Sequence, residues 1–272
     1  IESDLQFEAP YGPTTPSLYA QWAQRYMYEF DIKPEDLAII AVENRRWALD
    51  HPGAAMRSKG PITVQDVVNS KMLASPIHLL DSSTWFKGGF GTAVVIARAD
   101  NASKDHRPIY ISGFGEGTTH EWLTDRMHLT GVEPSMTPNL TTLGVKVAAE
   151  RAYAMAGLTA RDIDIAETSV PFTFANMMVL EDLGFCKKGE GKDFVRGGGI
   201  SYDNGLPFNT NGGYLSFGQA PHGMHMAAEA LEQLRGEAKG KQVKNAKRAL
   251  AHFHGGPLAT HAVMIFSTEE AL

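Results

Sequence analysis

The feature that most constrains the fold is the stretch 208–236, which reads FNTNGGYLSFGQAPHGMHMAAEALEQLRG. Its first part predicts a strand that feeds a polar glycine segment, 209–213, and then a tight turn containing His222 and Gly223. The apolar residues that follow recur at helical spacing. A helix N-terminus offers free backbone N–H groups and a partial positive charge. We therefore expect a reaction site where this turn meets the helix.

A second stretch, 250–266, reads LAHFHGGPLATHAVMIF and predicts two apolar strands joined by a turn rich in histidine and glycine. His252 and His254 share a face if the first strand persists through both, and they diverge if the turn has already broken it. Glycine at 255 and 256 would let backbone N–H groups approach a developing oxyanion. The alternative is a core strand with hydrogen-bonded histidines. The sequence leaves these alternatives open.

The order of predicted elements indicates an α/β protein. From residue 108 onward, strands alternate with helices and the chain ends on two strands, a pattern that calls for a mixed sheet with helices on both faces. A β-branched run at 92–98 predicts one more, buried strand, and 189–205 predicts a glycine-rich surface loop. The remaining predicted strands cover 108–115, 162–166, 249–253 and 260–267, and the helices cover 18–30, 35–50, 64–70, 140–156 and 172–183.

Three motifs carry a resemblance to a known family. The segment 209–216, NTNGGYLS, resembles the NTxGGLLS segment of the thiolase superfamily. The helix end 229–236, EALEQLRG, resembles the lipid-transfer-protein (sterol carrier) branch, and 180–191, LEDLGFCKKGEG, is close to that branch's EDLGFCxKGEGG. The resemblance implies a thiolase-like fold of two related α/β halves with a loop region inserted in the first.

The resemblance also implies how the chain is divided. Residues 1–80 would be the loop region of the first half, 81–106 its last strand and a linker, and 107–272 a complete C-terminal domain. The N-terminal half would be partial, and the nucleophilic cysteine of thiolases lies in the part that is absent. The chain begins at Ile1 without a methionine, which indicates a processed, trimmed or split chain.

In function, the resemblance implies cleavage or formation of a C–C bond in an acyl-CoA thioester. His222 would tune a nucleophile, and His252 or His254 would move the proton at the substrate α-carbon. The thioester oxyanion would be held around four further residues: Asn211, Gly212, Gly255 and Gly256. Coenzyme A would be substrate or product, with no permanently bound cofactor.

Two departures from the family weaken the standard thiolase mechanism. The family's Gly-His-Pro reads Gly218-Gln219-Ala220, and its His-Asp-Cys-Phe or Asn-Glu-Ala-Phe segment reads Ser169-Val170-Pro171-Phe172. A retro-aldol cleavage needs a base and an oxyanion hole without an acyl-cysteine, and so tolerates these departures better than a thiolytic retro-Claisen step. The alternative is a non-catalytic subunit that binds an acyl-CoA or lipid, or scaffolds a complex.

The composition argues against nucleic-acid-binding and membrane-spanning proteins. The expected partner proteins follow from the family resemblance alone. A net charge of −6 argues against a nucleic-acid binder, and no apolar run approaches the ~20 residues of a membrane helix. The single cysteine, Cys186, predicts a structural thiol and a reducing, cytoplasmic compartment. Three imidazoles, His222, His252 and His254, could in principle hold zinc, but no metal-ligand spacing supports such a site.

We expect a homodimer or larger assembly, a small partner with a zinc ribbon and an OB-fold, and a chain that supplies the N-terminal part.

Overall fold

The computed structural model describes residues 4–84, 91–101, 107–119, 122–124, 140–219 and 223–270. Within these ranges the helices are α1 Thr15–Phe30, α2 Pro34–Asp50, α3 Val64–Val68, α4 Val145–Ala156, α5 Thr173–Asp182, α6 Gly191–Arg196, α7 Gly213–Ser216 and α8 Met224–Arg235. The strands are β1 Met72–Ala74, β2 Ile77–His78, β3 Tyr110–Thr118, β4 Ile165–Thr168, β5 Arg248–Gly255 and β6 Thr260–Ser267.

The main sheet has four strands in the order β3-β6-β5-β4. The β3–β6 and β5–β6 pairs are antiparallel, whereas β4 and β5 are parallel. The sheet is therefore mixed, as the alternating pattern predicts. The β5–β6 hairpin sets His254 opposite His261 and His252 opposite Val263.

Helices cover both faces of this sheet, and each face has its own core. On one face α8 packs against Ala249, Ala251 and Phe266. On the other, Leu250, Val263 and Ile265 join the larger core of the remaining helices. Because side chains alternate along a strand, His252, His254 and His261 fall on the second face.

Glycines along β3 bring α4 unusually close to the sheet. A Cβ on Gly113, Gly115 or Gly117 would lie 2.1–2.3 Å from a backbone oxygen of Ala152, Ala148 or Gly144 respectively. Such contacts are sterically impossible for a side chain. The helix backbone thus lies directly on the strand, and this fixes the start of α4 beside the β5–β6 hairpin.

The N-terminal residues form a helical layer, as predicted. Thr14 caps α1 in a capping box with Ser17, and Pro34 occupies the first turn of α2. Trp22 and Tyr26 of α1 are fully buried, and the Tyr26 hydroxyl donates to Glu181 Oε1 at 2.6 Å. This hydrogen bond ties α1 to the end of α5.

Three element predictions are wrong. Residues 92–98 form no strand, and Val95 and Ile96 are 94% and 71% exposed, because a β-branched run becomes a buried strand only when another strand pairs with it. The stretch from 208 contributes an isolated bridge between Phe208 and Ala166 in place of a strand. The loop 189–205 contains helix α6.

No helix in the described part of the chain is long and apolar enough to cross a bilayer.

Candidate active site

His252 lies in the middle of the sheet, and its side chain is fully buried. Its Nε2 is 3.0 Å from Nδ1 of His261 on β6, with the rings stacked at an interplanar angle of 24°. Burial lowers the pKa of His252 well below the usual value, and the neighbouring His261 and His254 lower it further. His252 is therefore neutral at pH 7 and has the protonation state of a base.

His254 lies on the same face as His252, since β5 runs unbroken through Gly255. The prediction that both histidines share a face if the strand persists is thus confirmed. The His254 backbone N–H donates to Ser169 Oγ at 3.2 Å, and its ring centroid lies 6.5 Å from that of Tyr214. His254 is half-buried, so it stands closer to the surface than His252.

Tyr214 and Ser169 extend this cluster. Tyr214 follows the NTNGG segment on α7 and is buried. Burial raises the pKa of Tyr214 to about 12, against the opposing effect of a hydrogen bond with the Ser169 side chain. Tyr214 is therefore a neutral phenol at pH 7, and it offers a hydroxyl group beside Ser169 at the end of β4.

The start of α8 also abuts the cluster. A Cβ on Gly223, the residue preceding α8, would lie 3.2 Å from Ser169 Oγ and 2.9 Å from Phe253 Cδ1. His225, in the first turn of α8, stacks on Tyr214 with ring centroids 5.3 Å apart. His222, which the sequence predicts as catalytic, lies outside the described residues.

The turn between β5 and β6 is open at one glycine and strained at a leucine. A Cβ on Gly255 would meet no atom of the described residues within 4 Å, whereas Gly256 has a φ of +60°. The Gly256 carbonyl accepts from the Tyr19 hydroxyl at 3.4 Å. Leu258 is buried with a φ of 58°, a left-handed conformation that leucine rarely adopts.

The predicted oxyanion residues of the NTNGG segment serve the loop itself. Asn211 Oδ1 accepts from the Gly213 N–H at 2.8 Å, and the Gly212 N–H donates to the Asn209 carbonyl at 2.7 Å. A Cβ on Gly212 would lie 2.5 Å from that of Ala48, so Gly212 packs against α2. These groups are used within the loop because a tight turn uses its own N–H groups, and the role of Asn211 and Gly212 at the oxyanion stays a prediction.

A second polar cluster lies at β4, where Glu167 and Glu229 are bridged by Thr210. The Thr210 hydroxyl is 2.7 Å from Glu167 Oε1 and 2.8 Å from Glu229 Oε1, and its backbone N–H donates to Glu167 Oε1 at 2.9 Å. Gln233 donates to Glu229 Oε1 at 3.0 Å. His51 Nε2 lies 3.8 Å from the other oxygen of Glu229.

The hydrogen count of this cluster requires one neutral carboxyl. The Thr210 hydroxyl has one proton, so it donates to one carboxyl and accepts from the other. Burial first, and then the charge of Glu229, raise the pKa of Glu167 well above its usual value. Burial raises the pKa of Glu229 as well. Glu167 is therefore the protonated member, and the pair shares a proton across Thr210.

Cys186 is not part of either cluster. It follows α5 in a separate cavity lined in part by Lys146, Tyr153 and Lys188. Burial raises the pKa of Cys186 to about 12, with the charge of Glu181 adding to the effect. A thiol in that state is a poor nucleophile, in agreement with the predicted structural role.

An apolar groove of about 800 Å³ lies on the α8 side of the sheet, lined among others by Val94, Leu231, Phe253 and Met264. His252 faces the opposite side, so the groove is separate from the histidine cluster.

In the part of the chain that the structure describes, no group of three or more His, Cys, Asp or Glu side chains could hold a metal ion.

Sequence reasoning misses Tyr214, Ser169, His261 and the carboxyl pair. His261 could have been found from the hairpin, because a turn after Gly255 that pairs it with Thr260 puts His261 opposite His254. Ser169 stands out in the sequence only as a departure from the family's polar residue. Tyr214 and the carboxyl pair carry no local signal, since their partners are distant in sequence.

Comparison with known proteins decides the family. Residues 128–268, about half of the chain, match the model of the thiolase C-terminal domain-like family. The chain belongs to this family. Sterol carrier protein 2 of Gallus gallus is also similar to it, at 26% identity over 89% of this chain and 43% of that protein, in agreement with the sequence motifs.

Among its relatives is the acetyl-CoA acetyltransferase of Methanothermobacter thermautotrophicus, 37% identical over 97% of this chain and 66% of that protein. Another is the 17-hydroxy-3-oxo-4-pregnene-20-carboxyl-CoA lyase of Mycobacterium tuberculosis, 35% identical over 86% of this chain and 58% of that protein. The solved structure of the Ltp2-ChsH2(DUF35) aldolase superposes with a TM-score of 0.79 at 28% identity, covering 96% of this chain and 66% of that chain. The chain thus spans between 58% and 66% of the length of these relatives.

Proposed function

We propose that the protein containing this chain cleaves or forms a C–C bond in an acyl-CoA thioester by aldol-type chemistry. The observation that carries the proposal is the cluster at the ends of β4 and β5, where a neutral buried histidine adjoins a second histidine, a serine and a neutral phenol. An aldol-type lyase needs a base for the β-hydroxyl proton and hydrogen-bond donors for the thioester oxygen. These residue types supply both.

Cys186 is not our candidate for the nucleophile of a thiolytic version, and the departures from the family at 169–172 and 218–220 favour the aldol version. A thiolytic cleavage needs an acyl-cysteine, and the chain's single cysteine is neutral and outside the cluster. A thiolytic enzyme would have to draw its nucleophile from a part of the protein beyond this chain. The names of the relatives include both acetyltransferases and a lyase, so they agree with either version.

In the proposed reaction, the His252 or His254 side chain removes the proton from the substrate's β-hydroxyl group. The bond between the α- and β-carbons then breaks, giving a carbonyl product and the enolate of the CoA thioester. Tyr214, Ser169 and N–H groups at Gly255 and Gly256 are our candidates for holding the enolate oxygen. The histidine returns the proton to the α-carbon, and neither an oxidant nor a reductant is needed. Coenzyme A leaves as part of the thioester product.

Assembly is a further part of the proposal. We assign residues 1–80 and 81–106 to the partial first half and 107–272 to the C-terminal domain, and we expect another segment or chain to supply the rest. The Ltp2-ChsH2(DUF35) aldolase, as its name states, pairs two components, and this supports a small second subunit, which we expect to carry a zinc ribbon and an OB-fold. We also expect a homodimer or larger assembly in a reducing, cytoplasmic compartment.

The test uses the full natural protein with its co-purifying partner and two panels of substrate. β-Hydroxyacyl-CoA thioesters test the aldol reaction, and β-ketoacyl-CoA thioesters with free coenzyme A test thiolysis. We expect release of a carbonyl product from the first panel without added coenzyme A. Thiolysis alone would overturn the aldol assignment, and binding without turnover of either panel would identify a non-catalytic acyl-CoA-binding subunit.

A further inference from the structure

His261 is buried beside the proposed base, and the reaction described above assigns it no role. It lies on β6 directly across from His254, with no exposed surface. Its two ring nitrogens contact different groups: Nδ1 is 3.0 Å from His252 Nε2, and Nε2 is 3.1 Å from the Leu258 carbonyl oxygen. His261 therefore connects the turn to His252.

The positions of the hydrogens follow from these two contacts. A carbonyl oxygen can only accept, so His261 Nε2 carries a proton and donates it to Leu258. In a neutral ring this leaves Nδ1 as a lone pair, which must accept from His252 Nε2. His252 is also neutral, so its own Nδ1 carries a lone pair. That atom is buried, and among the described residues it has no hydrogen-bond partner.

Two structural features hold His261 in this arrangement. Leu258 adopts a left-handed backbone conformation, which is unfavourable for a residue with a Cβ, and its carbonyl is the one that accepts from His261. On the other side, a Cβ on Gly144 at the start of α4 would lie 3.3 Å from His261 Cδ2. The ring is thus fixed by a strained turn and by a helix terminus that approaches closely.

We propose that His261 is a positioning residue that holds His252 in the tautomer with its proton on Nε2, so that His252 Nδ1 accepts the substrate's proton. This rests on the proposed function. When Nδ1 takes the proton, His252 becomes an imidazolium that still donates through Nε2 to His261. The Leu258 carbonyl dipole, acting through His261, favours the resulting positive charge. Return of the proton to the α-carbon restores the neutral pair.

The test compares two substitutions in the full natural protein. His261→Leu removes the acceptor for His252 Nε2, whereas His261→Asn places a side-chain oxygen near the position of Nδ1. Thr260→Ala, an exposed neighbour on the same strand, is the control. The tautomer is read by ¹⁵N solid-state NMR of histidine-labelled protein, with the His252 signals assigned by their loss in His252→Gln. Rates are measured on the β-hydroxyacyl-CoA that the parent cleaves.

We expect the parent's His252 signals to show a protonated Nε2 and an unprotonated Nδ1. His261→Leu should lose this pattern of His252 signals, lower kcat about 100-fold with KM nearly unchanged, and change the pH profile of kcat. His261→Asn should restore part of the signal pattern and part of kcat. A parent spectrum with the proton on His252 Nδ1, or a His261→Leu variant with parental kcat and pH profile, would overturn the proposal. If the unsubstituted protein cleaves no acyl-CoA, both the proposed function and the catalytic role of the His252–His261 pair are wrong. If it is active but His252 has the opposite tautomer, only this inference is wrong.

Discussion

Two buried polar clusters lie on neighbouring strands of the sheet, and burial acts on them in opposite directions. In the histidine cluster it lowers the pKa of His252, and in the carboxyl cluster it raises the pKa of Glu167. Both effects keep a titratable group neutral, because a low-dielectric interior disfavours the charged form. A shifted pKa alone therefore does not distinguish a reaction site from a structural cluster.

The surroundings distinguish the two clusters. Thr210, Gln233 and a backbone N–H lie at hydrogen-bond distance from the Oε1 atoms of the two carboxyls, and Glu229 belongs to α8. His252 instead adjoins a turn in which a Cβ on Gly255 would meet no described atom within 4 Å, with a serine and a phenol nearby. We take the carboxyl cluster as the structural one and the histidine cluster as the site.

Removing the base should have the largest effect. His252→Gln should lower kcat/KM by roughly 10²- to 10⁴-fold, because a general base contributes about that factor. His254→Gln, on the same face but half-buried, should cost less if His252 is the base. Steady-state kinetics on the same acyl-CoA measure both. If both variants keep the parental rate, the site lies elsewhere in the protein, and the assignment of the histidine cluster as the reaction site is wrong.

Breaking the carboxyl bridge should affect stability instead. Thr210→Val removes the hydroxyl shared by two buried carboxyls, and the free energy of unfolding should fall by about 1–3 kcal/mol. Thr210→Ser keeps the hydroxyl and should lose less. Urea denaturation of the full natural protein measures the difference. Equal stability of the Val and Ser variants would mean that the bridge contributes nothing.

The pH dependence of stability should have opposite signs in the two clusters. Folded Glu167 keeps a proton that the unfolded chain loses above its ordinary pKa. Its contribution is thus present below that pKa and is lost as pH rises, by at most about 1.4 kcal/mol per pH unit. Glu167→Gln should flatten this fall at pH values above the ordinary glutamate pKa.

Folded His252 instead excludes a proton that the unfolded chain takes up. Its contribution is present above the ordinary histidine pKa and is lost as pH falls below it. His252→Gln should flatten that acid-side loss. Urea denaturation of both variants over the same pH series measures the two slopes. Slopes that change in the same direction in the two variants would contradict the assigned protonation states.

Changing the open glycine should have the smallest effect on the fold. Gly255→Val adds a side chain where a Cβ would meet no atom of the described chain within 4 Å, so the free energy of unfolding should change by no more than about 0.5 kcal/mol. Gly256→Val is the contrast, because a φ of +60° strains any side chain there. If the turn borders the substrate, Gly255→Val should lower kcat/KM at constant stability. Full activity of Gly255→Val on every substrate would remove the turn from the site.

Much of the fold is predictable from local pattern. Helical periodicity predicts α1 and α2 nearly to their ends, and two apolar runs around a turn rich in histidine and glycine predict the β5–β6 hairpin. The prediction of a buried strand at 92–98 is wrong, because a β-branched segment forms a strand only with a hydrogen-bonded partner strand. No strand pairs with it in the described chain.

By itself, the sequence determined the family motifs, the mixed α/β class and two histidines on one strand. The tertiary structure decided what those histidines contact. The partners of Glu167 are 43 and 62 residues away, at Thr210 and Glu229, and Ser169 reaches His254 across 85 residues. Such contacts depend on the strand order and the packing of α8, and no local periodicity encodes them. The pairing of His252 with His261 is likewise set by hairpin register, because a one-residue slip would turn His261 to the other face.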